Sequence, residues 1–215
     1  MSKPIRRVCF DIETELFPEA FRTAADLRTR LRLIPKMRVA CTFDGVQWRY
    51  FLPSEAKELV TLLLAADEVI SFNGKAYDEL VLRKHHKMKG EFPTKGTHVD
   101  LLQEIYEKER RRVSLHRLVE RNFGEKKHTK GRDMASLDIE GLKEACRSDV
   151  WQTYRLWQLW RDSKLQMPER REQEDPFDVG PGHHMPELCP RCHAVNALLL
   201  IEYDEDEMSE GQQAD

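Results

Sequence analysis

Four carboxylates in this chain are spaced for chemistry. Asp11 and Glu13 stand two residues apart in Arg6-Arg7-Val8-Cys9-Phe10-Asp11-Ile12-Glu13-Thr14. There Val8, Phe10 and Ile12 alternate with Cys9, Asp11 and Glu13, the period of two that marks a β-strand. Both acids therefore project from one face, roughly 6.5–7 Å apart, a span over which carboxylates share or bridge divalent cations. Two acids so close in an apolar strand repel and resist desolvation unless a cation neutralises them. The competing reading is an edge strand whose polar face meets water. Asp78 follows the turn signal Asn73-Gly74 in the first turn of an expected helix, where the helix dipole alone accounts for an acid. Asp149 interrupts an apolar stretch between Cys146 and Val150. A carboxylate placed mid-helix beside buried side chains needs a cation or strong donors.

The elements that position these residues read as an α/β pattern. The strand around Asp11 is followed by a basic, weakly amphipathic helix over residues 19–33, carrying Arg22, Arg28, Arg30 and Arg32. Two β-rich runs, 38–43 and 46–52, are joined by Asp44-Gly45, a strong hairpin signal because both positions accept positive φ. Pro53-Ser54 opens a helix with Ser54 as its N-cap, and residues 68–72 form another strand. A helix over 76–88 follows, then a short strand at 97–102 running into a helix to about residue 108. Ser114 caps a further helix that Gly124 ends. Residues 139–164 carry Leu142, Ala145, Cys146, Val150, Tyr154, Trp157 and Trp160 mostly at spacings of three and four, a long helix packed on the sheet. Its tryptophans, Trp151, Trp157 and Trp160, read as packing residues rather than ligand contacts.

At 215 residues and 25.3 kDa the chain holds one full α/β domain with a sizeable core and a small appendage. No apolar run approaches the roughly 20 residues that span a bilayer, and the start lacks the apolar region of a signal peptide. The expectation is a cytoplasmic protein that meets no membrane, with Cys9, Cys41 and Cys146 as reduced, buried thiols. Residues 1–165 carry 32 Lys+Arg against 25 Asp+Glu, a balance of +7, while residues 166–215 carry 3 against 13, a balance of -10. The first part is the one suited to meeting a polyanion. Arg110-Arg111-Arg112 and the loop Lys126-Lys127-His128-Thr129-Lys130-Gly131-Arg132 fit phosphate contacts, though such runs also serve as solvated surface.

The run Cys9-Phe10-Asp11-Ile12-Glu13-Thr14 resembles the first motif of the DEDD (DnaQ-like) 3′-to-5′ exonuclease superfamily. Phe72-Asn73-Gly74-Lys75-Ala76-Tyr77-Asp78 resembles the second motif and Cys146-Arg147-Ser148-Asp149-Val150 the third, with Asp100-Leu101-Leu102 and Ser114-Leu115 in the intervening pattern. The resemblance covers about residues 5–163 and implies a ribonuclease-H-like fold, a mixed sheet flanked by helices, over a domain of residues 1–165. It further implies hydrolysis of phosphodiester bonds at a single-stranded 3′ end of DNA or RNA with two Mg²⁺ or Mn²⁺ ions. Asp11 would bridge both ions, Glu13 and Asp149 would hold the one carrying the attacking water, and Asp78 would aid the geometry. Thr14, Asn73 and Tyr77 would place the terminal nucleotide.

One position departs from that pattern. Family members carry a Tyr four residues before the last Asp or a His five before it; here Ala145 and Glu144 stand there. A residue from elsewhere such as His128 or Lys130 enters, the metal activates water by itself, or the site is catalytically weak. A catalytically weak nucleic-acid-binding module is therefore the main alternative function. An interaction adaptor working through the C-terminal part is another. That part reads as a linker over 166–182, a zinc-ribbon-like hairpin over 183–203 and an acidic disordered tail over 204–215. Within the hairpin Cys189 and Cys192 would ligate Zn²⁺ with two of His183, His184 and His193, against the alternative of an unstructured pair of thiols.

Overall fold

The computed structural model describes residues 5–15, 32–86, 95–125 and 136–169. Among them run β1 (Arg7–Thr14), β2 (Met37–Phe43), β3 (Trp48–Phe51), a 3₁₀ turn (Pro53–Glu55), α1 (Ala56–Ala65), β4 (Glu68–Ser71), α2 (Asp78–His86), β5 (Thr97–Asp100), α3 (Leu101–Glu109), α4 (Leu115–Phe123) and α5 (Ile139–Arg161). The strands form one mixed sheet in the order β3-β2-β1-β4-β5. β1 and β2 pair antiparallel with Asp11 opposite Cys41, β2 and β3 pair antiparallel, and β1–β4 and β4–β5 are parallel. This is the architecture expected of a ribonuclease-H-like domain.

Alternation along β1 divides the core. Val8, Phe10 and Ile12 face α1 and α2 in one cluster that includes Leu59, Leu63, Val81 and Leu82. Cys9 faces the other way, into a cluster with Val39, Cys41, Ile70, Cys146, Val150 and Trp157. Asp11 and Glu13 share the parity of Cys9, so the strand aims them at α5. β1 lies at the centre of the sheet rather than at its edge. The reading of an edge strand with a water-facing polar side is thereby corrected: periodicity reports faces, and the parallel pairing with β4 is set by residues some sixty positions away.

The β2–β3 hairpin turns where Asp44-Gly45 stands. Gly45 adopts φ +98°, and the Asp44 side chain accepts from the N–H groups of Val46 and Gln47 at 2.9 and 2.8 Å. Ser114 and Gly124 cap α4 as expected. Ser54 does not cap α1. Instead Glu55 Oε2 accepts from the Leu52 N–H at 2.8 Å, and the Glu55 N–H donates to the Leu52 carbonyl at 2.8 Å. The local turn after Pro53 places the longer Glu55 side chain, rather than the serine hydroxyl, within reach of an open N–H.

The three cysteines at 9, 41 and 146 are free and buried, as expected. No helix among the described residues is long and apolar enough to cross a membrane. Past α5 the chain turns back along α4. Asn122 exchanges hydrogen bonds with the backbone of Gln166 at 2.8 Å in both directions, Arg111 donates to the Pro168 carbonyl, and Leu165 and Met167 pack on the α3–α4 cluster. Residues 166–169, where the linker is expected to begin, are thus held to the domain. Most of the basic helix over 19–33, the loop with His128 and Lys130, and the zinc-binding segment with His183, His184, Cys189, Cys192 and His193 lie outside the described residues.

Candidate metal centre

Oxygen atoms of Asp11, Glu13 and Asp149, one from each, lie within 4.8 Å of one another, and all three side chains are partly buried. Two come from β1 and the third from α5. The register that brings them together is built on either side of Asp149: Cys146 Sγ lies 3.3 Å from the Asp11 carbonyl and 3.5 Å from Asp11 Oδ2, and the Cys9 thiol donates to the Val150 carbonyl at 3.5 Å. Cys146 and Val150, packed into the sheet, fix the turn of α5 that carries Asp149 towards Asp11. A cluster of three carboxylates is an all-oxygen donor set, the kind that suits Mg²⁺, Mn²⁺ or Ca²⁺.

Asp78 stands at the first position of α2 and is 3% exposed. Its Oδ1 is buried without a hydrogen-bond partner. Burial pushes its carboxyl well above the usual range, and the charges of Asp11, Asp100 and Glu13 push it further. The carboxylates close enough to share an ion are those of Asp11, Glu13 and Asp149, and that donor set fits a divalent metal; Asp78 feels the charges of Asp11 and Glu13 without belonging to that group.

The turn that delivers Asp78 is fastened from below by Asp100. This carboxylate accepts the N–H groups of Asn73 and Lys75 at 2.8 and 3.0 Å and also caps α3 through Leu102 and Gln103. Positive φ falls on Asn73, at +68°, not on Gly74. Gly74 is needed for proximity: a Cβ there would meet Ser71 Oγ at 2.5 Å and Ser71 Cβ at 2.6 Å. Ser71 Oγ bonds His98 Nε2 at 2.8 Å. Burial, and secondarily the Lys75 charge, pushes the imidazole down to about 3. Glu79 Oε2 lies 3.9 Å from His98 Nδ1, but Glu79 is engaged by Arg83, so burial prevails and His98 stays neutral.

The residues expected around the substrate fall close to the acids. Thr14 Oγ1 and the Tyr77 hydroxyl share a hydrogen bond of 2.7 Å, tying the end of β1 to the start of α2. Burial is the main cause of a Tyr77 pKa above the usual phenol range. Asn73 Oδ1 accepts from Arg112 at 3.2 Å, which brings the end of the Arg110–Arg112 cluster to the site. Glu144 is exposed and Ala145 partly buried, so no phenol or imidazole stands at either position. Sequence reasoning missed the roles of Asp100 and Cys146. An acid ending a strand directly before a helix is an N-cap signal that points to Asp100; the Cys146 contact has no local signal.

Residues 8–162 match the family model described as RNase H superfamily. No curated protein matches the chain. Among solved structures it is similar to the family B DNA polymerase from the hyperthermophilic archaeon Pyrobaculum calidifontis, with a TM-score of 0.52 and 15% identity, over 74% of this chain and 25% of that one. It is also similar to the Aedes aegypti Nibbler EXO domain, with a TM-score of 0.49 and 14% identity, over 74% of this chain and 81% of that one. The chain spans about a quarter of the archaeal polymerase. At such identities the likeness concerns the fold.

Proposed function

The chain belongs to the RNase H superfamily, and we propose that it is a 3′-to-5′ exonuclease of the DEDD type that depends on divalent metal and shortens DNA or RNA. One observation carries this reading: carboxylate oxygens from residues 11, 13 and 149 converge within 4.8 Å. Like charges gathered at that distance in a partly buried place are costly to hold without a cation.

Asp11, Glu13 and Asp149 would hold the metal, and Asp78 would aid the geometry around it. When bound, two Mg²⁺ or Mn²⁺ ions would supply a lowered pKa for the attacking water and charge neutralisation at the phosphate. The protein's own part is positioning. The Thr14–Tyr77 pair holds the end of β1 against α2, so Glu13 and Asp78 keep a common frame. The Asn73 turn, pinned by Asp100 and met by Arg112, presents an amide and a guanidinium beside the acids, where a terminal nucleotide and its phosphate would be gripped.

A second reading is favoured by the exposed Glu144 and the small Ala145. With no positioned base on α5 the enzyme turns over slowly, by about 10²- to 10⁴-fold relative to a site that has one. Strands labelled at the 5′ end and incubated with Mg²⁺, Mn²⁺ or EDTA test both readings. A ladder of products shortened from the 3′ end, abolished by EDTA and by Asp149→Asn, is expected. Tight binding without shortening would install the second reading, and digestion that survives EDTA or Asp149→Asn would end the first.

A further inference from the structure

Helix α5 carries a second surface, turned away from the acids. At 100° per residue Asp149 and Trp151 point about 200° apart, to opposite flanks of the same helix. Trp151 is 42% exposed, unusual for so large a side chain. Its ring is nonetheless fixed: it meets Phe43 edge-on at 5.6 Å and stacks with Tyr154 at an interplanar angle of 15°. Trp48, stacked on Phe43 at 4.4 Å, continues the aromatic floor.

Cations are spaced along this floor. Lys143, Arg147, Trp151 and Arg155 recur every four residues and so form one row. The Arg147 guanidinium lies 4.8 Å over Trp48, Arg155 lies 6.0 Å from the Trp151 ring, and Lys143 lies 5.9 Å from Tyr50. Lys143 pairs with Glu140 and Arg155 with Glu125, whereas no ion pair engages Arg147 among the described residues. The acids on this flank are Glu140 and Glu144 towards the start of the helix and Glu125 beside Arg155, which leaves the stretch around Arg147 and Trp151 between them.

We propose that this flank is a stacking platform for single-stranded nucleic acid, engaging the strand a few nucleotides upstream of the 3′ end held at the acids. The proposal rests on the exonuclease reading. A rigid, open indole beside unpaired guanidinium is what a base and its phosphate require together, since every base has a π-face and every linkage a negative charge. An acidic peptide would need the cations but not the open ring. A strand leaving the acids crosses the crest of α5 at the exposed Ser148; a helix is about 10–12 Å across, so the span is short.

The test uses the full chain, with fluorescent oligothymidylates of about four and about twenty nucleotides. Binding is measured in EDTA at two salt concentrations and digestion with Mn²⁺. Trp151→Ala and Arg147→Gln are expected to weaken the long strand about tenfold each. They should leave affinity and Mn²⁺-dependent digestion of the short strand at wild-type level. Trp151→Phe should retain most of the long-strand affinity, and Arg147→Gln should lower the salt slope by about one. Wild-type affinity of both variants for the long strand, with digestion intact, would overturn the platform and leave the exonuclease standing. Polyglutamate displacing the long strand, in a manner insensitive to Trp151→Ala, would also overturn it, in favour of an acidic protein partner. A wild-type chain that neither binds nor digests either strand would sink both readings.

Discussion

Asp78 and Asp100 are buried to nearly the same degree, 3% and 2% exposed, and they are wired in opposite ways. Asp100 is surrounded by backbone donors: Asn73 and Lys75 on one side, Leu102 and Gln103 on the other. Burial raises its carboxyl, and those hydrogen bonds pull it back. Asp78 has the same burial with an orphaned Oδ1; its neighbours' charges add to the rise, and a single backbone hydrogen bond opposes it. Burial alone therefore does not separate a structural carboxylate from a functional one. Donor supply does: Asp100 is met by four backbone N–H groups, whereas Asp78 keeps an orphaned Oδ1, and under the proposed function a cation would complete it.

The contrast is broken most directly by replacing each acid in turn. Asp78→Asn is expected to reduce metal-dependent digestion about 10³-fold, the equivalent of roughly 4 kcal/mol at the transition state, while the metal-free protein keeps or gains stability. Rates with Mn²⁺ alongside denaturant melts in EDTA read both effects. Asp100→Ala should do the reverse in the melts, losing roughly 3–4 kcal/mol, because an N-cap disappears and buried N–H groups are left open. If Asp100→Ala were as stable as wild type, the turn would owe its shape to something else.

Metal sharpens the same comparison. Mn²⁺ at about a hundred times its dissociation constant should stabilise the wild type by about 2.7 kcal/mol. Asp100→Asn should keep most of that gain and Asp78→Asn should lose much of it, as thermal melts with and without EDTA would reveal. Equal gains in the two variants would mean that Asp78 does not serve the cation.

His98, under the same turn, supplies a pH test. Its folded pKa of about 3 lies below the ordinary 6.5, so the unfolded chain binds the proton first. Its contribution is complete above pH 6.5 and is lost as pH falls towards 3. Between pH 6.5 and 4.5 the wild type should lose about 2–3 kcal/mol relative to His98→Gln. The difference between the two proteins matters, because the raised Asp78 and Asp100 respond to acid with the opposite sign. Parallel stability curves would mean that the imidazole is charged in the fold.

What could be read from the chain beforehand was whatever is written in local spacing. Alternation put Asp11 and Glu13 on one face, Asp44-Gly45 marked the hairpin, and Ser114 and Gly124 marked the ends of α4. Asp149 stood out because an acid inside an apolar period needs an explanation. Wiring across distance left no such trace. Nothing local says that Cys146 reaches Asp11 across 135 positions or that Arg112 finds Asn73 across 39. The central place of β1 depends on β4, and the choice between Ser54 and Glu55 as the cap depends on how Pro53 aims the turn. Asp78 was legible as an acid in a first turn, where a dipole explains it; only the missing donor, a property of the packed structure, sets it apart from Asp100.

The smallest effect concerns the hydroxyl pair above the turn. Tyr77→Phe removes one partner of the 2.7 Å bond to Thr14 and leaves the ring packed against the first core cluster. Thr14 keeps a second acceptor in the Glu15 carbonyl at 3.0 Å, so its hydroxyl is not orphaned and the loss in stability should be about 1 kcal/mol. If the pair only braces β1 against α2, digestion should fall no further than that loss would allow at the assay temperature, and Thr14→Val should match it. If Tyr77 also grips the terminal nucleotide, KM should rise in Tyr77→Phe with kcat little changed, and Thr14→Val should not reproduce it. Identical KM values in wild type and both variants would confine the pair to bracing and leave the Asn73 turn and Arg112 to hold the strand end.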